Sequence, residues 1–230
     1  MRKEKALRQW SWALYDAGNS AFATTVMAAV LPVYYSEVAA RGLPLASSLA
    51  YWGYASAAGL LLSVLAAPFS GAAADAWGCK KKGLALSTFL GIAASAGLAL
   101  VGEGDWRLAL GLLVLGTLGF SLSSVFYDSL LPHIAQPSEL DSLSSRGYAT
   151  GYLGGGLLLG INVAMILALP SGTGMKLSFI SVAAWWAAFT VPILLFVPEP
   201  SLKPCLEHST GIFRKPFRTL RALRLHRDAF

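Results

Sequence analysis

Six stretches of the 230-residue chain are long and apolar enough to cross a bilayer, and no other feature limits the possible folds so sharply. A membrane helix needs roughly 20 mostly apolar residues to cover about 30 Å of hydrocarbon. The stretches run over about 14–35, 51–74, 83–101, 108–127, 148–169 and 177–197. Their apolar runs are continuous and do not alternate with period two, which excludes barrel strands. A helix satisfies its backbone hydrogen bonds within one segment, as lipid demands. The first stretch carries Asp16 and Asn19 near its start. It is too long for a secretory signal, and no small-residue cleavage site precedes a polar mature chain. Composition agrees with this reading. Charged residues make up 13% of the chain, about half the share needed to cover a soluble domain, and the mean hydropathy is +0.57. Hydrophobic residues at 55% exclude disorder, and two cysteines exclude a disulfide scaffold.

The connections predict the orientation. Fifteen of the 18 lysines and arginines lie in the N-terminal tail, the loops after spans 2 and 4, and the tail after span 6. The other three connections hold one each: Arg41, Arg107 and Lys176. The positive-inside rule therefore places both termini in the cytoplasm, in a multi-pass protein of the cell (inner) membrane. The pI of about 9.4 follows from these loops and does not call for a nucleic-acid partner. Cys79 and Cys205 then share the reducing side, where a disulfide is not expected. Cys79 beside three lysines is either a spare loop cysteine or one with a lowered thiol pKa.

Two domains are expected: a six-helix bundle over 1–200 and, over 201–230, a basic segment. In the latter, Phe213, Phe217, Leu220, Leu223 and Phe230 interleave with arginines, as in amphipathic segments that lie on an anionic leaflet. The abrupt end at Arg227-Asp228-Ala229-Phe230 leads to the expectation of an interrupted reading frame or a truncated chain. The loop over 128–147 holds Ser138 and Asp141 at N-cap spacing, which predicts a short surface helix. Spans 1 and 4 carry acids in comparable places and spans 2 and 5 are rich in small residues. That weak symmetry fits an inverted repeat of three plus three helices.

Charged groups within hydrocarbon are costly, so each is a functional candidate. Steps of three and four from Asp16 give Asn19, Ser20, Ala23, Thr24 and Met27, one polar and small stripe on an apolar helix. It lines either protein or a water-filled cavity. The simpler account of Asp16 is attraction to the positive end of its helix. Ser121, Ser124 and Asp128 form a similar stripe on span 4, with a solvated surface residue as the plain reading of Asp128. Gly147, Gly151 and Gly155 repeat every four residues on span 5, the pattern that lets helix backbones approach closely, and Asn162 on the same face predicts an interhelical hydrogen bond. Trp185 and Trp186 in mid-span 6 are expected to pack. No paired His/Cys ligand set for a metal, no P-loop and no dinucleotide turn is present. No histidine lies at membrane depth to serve an intramembrane serine protease, and nothing resembles a channel filter. No cofactor and no enzymatic activity are expected.

The connection after span 2 reads Gly71-Ala72-Ala73-Ala74-Asp75-Ala76-Trp77-Gly78-Cys79-Lys80-Lys81-Lys82. It resembles the loop 2–3 signature of the major facilitator superfamily: Gly, three residues, Asp, two residues, Gly, then a basic pair. The resemblance makes Gly71, Asp75, Gly78, Lys80 and Lys81 a gating-loop motif. Ala76 stands where a basic residue is usual, and Gly116 lies where many proton-coupled members have an arginine. Two further stretches, from Trp12-Ala13-Leu14-Tyr15-Asp16 through Thr25 and from Ser144-Ser145-Arg146-Gly147-Tyr148-Ala149 into Gly154-Gly155-Gly156, are similar to the vacuole-effluxer branch, which contains vacuolar amino-acid effluxers.

That resemblance implies one half of a twelve-span transporter: an all-α membrane protein of six transmembrane helices, partnered by a C-terminal six-helix half or a second copy. It implies alternating-access movement of a small solute, amino acids among the candidates. Spans 1, 2, 4 and 5 would line the cavity, with Asp16, Asn19, Ser20, Thr24, Ser121, Ser124 and Asp128 as substrate or coupling-ion contacts. The alternative is a six-span assembly or regulatory protein, or an inactive half.

Overall fold

A computed structural model describes residues 2–170 and 172–200, without the side chains of 75–77. The basic segment from 201 onward, with Cys205 and the amphipathic pattern over 211–230, lies outside the described residues.

The described elements are all helical. Span 1 is α1 (Arg2–Ala21), a π-helical stretch (Phe22–Val30), α2 (Leu31–Tyr34) and a second π-helical stretch (Tyr35–Ala39). It is continuous over Arg2–Ala39. Then follow α3 (Leu45–Trp77), α4 (Lys80–Leu98), α5 (Trp106–Ile134), α6 (Leu140–Ala168) and α7 (Thr173–Phe196). Five of the spans meet the length and apolarity needed to cross a bilayer. The sixth, α4, is 19 residues long and opens on Lys80-Lys81-Lys82, so only its remainder is apolar. The protein is an integral, multi-pass membrane protein built as a six-helix bundle.

Helix ends follow local chemistry. Gly78 closes α3 in the left-handed region at φ 58°, its N–H donating to the Ala74 carbonyl. The expected cap at Ser138 and Asp141 is displaced by two residues. Gln136 is the N-cap, and its N–H donates to Glu139 Oε2 at 2.9 Å. Pro137 sits at the first helical position, where its missing N–H is no loss. The single turn Pro137–Glu139 then runs straight into α6, so no separate surface helix forms. The Gln136 N–H and the Lys5 ammonium (2.7 Å) hold the Glu139 carboxyl below its ordinary range.

The packing map carries the symmetry that the sequence only hinted at. Span 1 packs on α6 and α7, spans 5 and 6; α5, span 4, packs on α3 and α4, spans 2 and 3. Spans 3 and 6 meet through α4 and α7. Exchanging the first three spans for the last three leaves this map unchanged, as an inverted repeat with interleaved halves requires. Lipid supplies no hydrophobic drive between helices, so close approach relies on small residues. At the α4–α5 crossing a Cβ on Gly119 would lie 2.5 Å from the Gly91 nitrogen and 2.8 Å from the Ser87 carbonyl. Trp186, fully buried, fills the space beside Gly18 and Gly91 and stacks obliquely on Phe22.

Backbone cannot yield as a flexible side chain can. Gly119→Val should therefore destabilise the bundle by about 2 kcal/mol or more in thermal unfolding in detergent. Gly111→Ala, at a position with nothing within 4 Å, should leave unfolding unchanged or slightly later.

Candidate functional site

The polar stripe of span 1 meets α5 and α6 around a cavity of about 280 Å³. From span 1 come Asp16, Asn19, Ser20 and Thr24; from α5, Ser124, Tyr127 and Asp128; from α6, Ser144, Tyr148 and Tyr152. Trp12, Ala23 and Phe120 complete the wall.

Each polar group has a distinct anchor. Asn19 is 4% exposed and bridges span 1 to α5. Its Nδ2 donates to Ser124 Oγ at 3.3 Å, and its Oδ1 accepts from Ser123 Oγ at 3.2 Å. Thr24 Oγ1 lies 3.1 Å from the Ser20 carbonyl of its own helix and 3.3 Å from the Gly155 carbonyl across the interface. The three glycines of α6 face span 1. Methyl groups added there would overlap the Trp12 ring and Tyr127 hydroxyl at Gly147 and the Asp16 carboxylate and Ser20 hydroxyl at Gly151, and would crowd Thr24 Oγ1 at Gly155. The glycine groove is therefore what brings α6 up to the carboxylate. Thr150 Oγ1 fixes the same interface by donating to the Ala13 carbonyl at 2.7 Å.

Aromatic rings build one wall of the cavity. Trp12 stacks on Tyr127 with centroids 4.2 Å apart and planes at 8°. Trp12 Nε1 donates to the Tyr127 carbonyl at 3.0 Å. The Tyr127 hydroxyl is buried and has no hydrogen-bond partner among the described residues. Among the described residues Asp16 and Asp128 form no ion pair, and none of the Lys, Arg or His side chains lines the cavity.

The structure thus brings together Asp16, Asn19, Ser20, Thr24, Ser124 and Asp128. It leaves out three expected contributors. Ser121 is half-buried and does not line the cavity; Phe120, Ser124 and Tyr127 present the face instead. Met27 packs against the core rather than extending the stripe, because π-helical winding from Phe22 rotates it away. Span 2 contributes no lining residue; α3 packs mainly on α5 and makes little contact with span 1 or α6. Ser123, Tyr148 and Tyr152 were not singled out from sequence. Stepping by four from Ser144 reaches both tyrosines, so the signal was present.

The loop 2–3 motif lies away from the cavity. Lys80 Nζ donates to the Ser129 carbonyl at 3.3 Å and lies 3.1 Å from His133 Nε2, tying the start of α4 to the end of α5. The Lys81 N–H is shared by both carboxylate oxygens of Glu199 at 3.1 Å, so the segment after α7 caps α4. Gly71 makes only ordinary contact with Val125. The Asp75 side chain lies outside the described residues. Asn162 accepts from Ser181 Oγ at 2.7 Å and joins α6 to α7. Trp185 Nε1 donates to the Ala17 carbonyl at 3.0 Å, so this tryptophan ties α7 to span 1 and lines no part of the cavity.

Comparison with known proteins completes the description. The family model described as vacuole effluxer Atg22 like matches residues 46–230. The uncharacterized MFS-type transporter YxiO of Bacillus subtilis is 33% identical over 239 residues, covering 100% of this chain and 56% of the relative. The xylose transporter XylE of E. coli, in an inward-open conformation, superposes with a TM-score of 0.58 at 16% identity, over 98% of this chain and 56% of that one. At that identity the likeness concerns the fold. The chain spans about half the length of the proteins it matches.

Removal of the span 1–α5 bridge is measurable. Asn19→Ala should lower stability by about 1 kcal/mol. A double-mutant cycle with Ser123→Ala should return a coupling of about 0.5 kcal/mol or more. Strict additivity would show that the two side chains do not share a bond.

Proposed function

The chain belongs to the Atg22-like vacuole effluxer family of MFS-type transporters, and from that premise we propose that it forms one half of a secondary transporter that moves a small solute by alternating access. The observation that carries this reading is the cavity between span 1, α5 and α6. Its polar groups sit within helices that otherwise present apolar surface, and intramembrane carboxylates mark solute or ion pathways. Asp16 and Asn19 contact solute or coupling ion, with Ser20, Thr24, Ser124 and Asp128 around them. A second six-helix bundle, from a C-terminal half or another copy, closes the open side. Support comes from α3 and α6, the least buried spans. Gly156 and Gly160 of α6 meet nothing within 4 Å and leave room for a closely packed neighbour. Rocking of the two bundles exposes the cavity to either side in turn, and the cap between Glu199 and α4 steadies the cytoplasmic face. Amino acids enter as candidate solutes through the family resemblance, and the wall's small and aromatic groups suit their size.

Both termini face the cytoplasm in this reading. In a Cys205→Ser background, an impermeant maleimide should label Cys79 only after the membrane is permeabilised. Labelling in intact cells would invert the orientation.

Transport itself is tested with the full-length protein in proteoliposomes, using a panel of labelled amino acids and amines. Asp16→Asn should cut flux by at least about tenfold while leaving the thermal transition in place. Unchanged flux would remove Asp16 from the site.

A further inference from the structure

We infer that a second cavity, between the first turns of α1 and the end of α5, holds the phosphate headgroup of an anionic phospholipid. It shares no lining residue with the cavity around Asp16. The site is therefore independent of what that cavity carries.

The second cavity has a volume of about 590 Å³, within the range of small-ligand sites. Arg2, Lys5 and Arg8 line it from α1, and His133 lines it from α5. Among the described residues Glu4 is the one carboxylate in the wall. Lys80 stands behind His133, with its Nζ 3.1 Å from the ring Nε2. Counting Glu139, which pairs with Lys5 at 2.7 Å, four permanent cations still face two carboxylates. Arg2 forms no ion pair among the described residues. The pairs Arg8–Glu4 and Lys5–Glu139 are exposed to solvent. Exposed pairs hold their partners weakly and can open for a stronger anion. Phosphate is such an anion, because guanidinium groups meet its oxygens through paired, charge-assisted N–H bonds.

The depth of the cavity selects the source of the phosphate. Span 1 is helical over 38 residues, a rise of more than about 50 Å, whereas a bilayer with its headgroups is about 40–45 Å thick. The charged first turns cannot enter hydrocarbon, so they lie in the headgroup layer. Trp10 fixes the level. Arg2, Lys5 and Arg8 follow one another by three residues on one face of α1, and Leu7 and Trp10 lie exposed on the opposite face. Exposed tryptophans of membrane helices sit among the headgroups. The basic face thus opens where lipid phosphates are densest, and basic pockets between helices at that level suit anionic headgroups. A zwitterionic headgroup brings its own cation into a wall that already has an excess of them.

The test is native mass spectrometry of the full-length protein in detergent micelles, titrated with dioleoyl-phosphatidylglycerol and with zwitterionic dioleoyl-phosphatidylcholine. Phosphatidylglycerol should bind at least about tenfold more tightly. Changing Arg2→Gln and Arg8→Gln together should remove that preference. Lys3→Gln lowers the charge of the same helix outside the cavity, and it should change the affinity by less than about twofold. Glu4→Gln should tighten phosphatidylglycerol binding by about threefold or more. Each variant is first checked for an unchanged thermal transition. If the double arginine variant loses its transition, Glu4→Gln decides, since it removes no cation. Equal binding of the two lipids, an unchanged preference in the arginine variant, an equal loss in Lys3→Gln, or weaker binding in Glu4→Gln would each overturn the inference. Glycerol 1-phosphate, the headgroup without its chains, distinguishes the source. It should bind at least about tenfold more weakly than the lipid. Equal binding with the same arginine dependence would assign the cavity to a soluble phosphate and overturn the lipid.

Discussion

A polar side chain in the hydrocarbon of a bilayer has no water to turn to, and the architecture of this protein is arranged around that fact. Span 1 places Asp16, Asn19, Ser20 and Thr24 on one face at membrane depth. None of them can point into lipid without a penalty of several kcal/mol. The bundle answers in two ways. Asn19 is enclosed and bonded on both amide atoms by Ser123 and Ser124. Asp16 and Ser20 are set in a cavity that α6 approaches through Gly147, Gly151 and Gly155. The glycines are therefore part of the polar site as much as of the packing. A side chain at Gly151 would occupy the space of the carboxylate itself.

The interleaved repeat explains why the cavity falls where it does. Span 1 is embedded among spans of the second repeat, and span 4 among spans of the first. The face of span 1 that is left over looks across a gap toward span 4, and both carry an acid at the same end of the bundle. The two carboxylates line one cavity because spans 1 and 4 run antiparallel, with Asp16 near the start of the one and Asp128 near the end of the other. The polar stripe ends at Thr24, within the π-helical stretch from Phe22 to Val30, and the rest of span 1 turns into core, with Val26, Val30 and Leu31 all buried.

Much of this was legible from residues alone. Continuous apolar runs gave the six helices, and three-and-four stepping from Asp16 gave the span 1 side of the cavity, because α1 is regular as far as Ala21. Stepping failed past that point at Met27, where the winding changes and no residue announces it. It failed again on α5, where Ser121 was preferred to Phe120 and Tyr127. A search for hydroxyls passes over aromatic rings, yet the rings form this wall. The lining role expected of span 2 rested on the family resemblance. α3 packs mainly on α5 and puts no residue into this cavity. The cap moved from Ser138 to Gln136 because Pro137 fits the first helical position so well that the turn begins there.

The central claim is that the polar face of span 1 looks into water. It is tested most directly by the reactivity of a cysteine at Ser20 toward a charged, water-soluble methanethiosulfonate, in a protein whose Cys79 and Cys205 are serines. A cysteine at Leu157, on the apolar outer face of α6 at 60% exposure, serves as reference. The account predicts rapid modification of Ser20→Cys and little of Leu157→Cys. If Ser20→Cys reacts no faster than Leu157→Cys, the stripe faces protein or lipid, and the cavity is not a solute pathway.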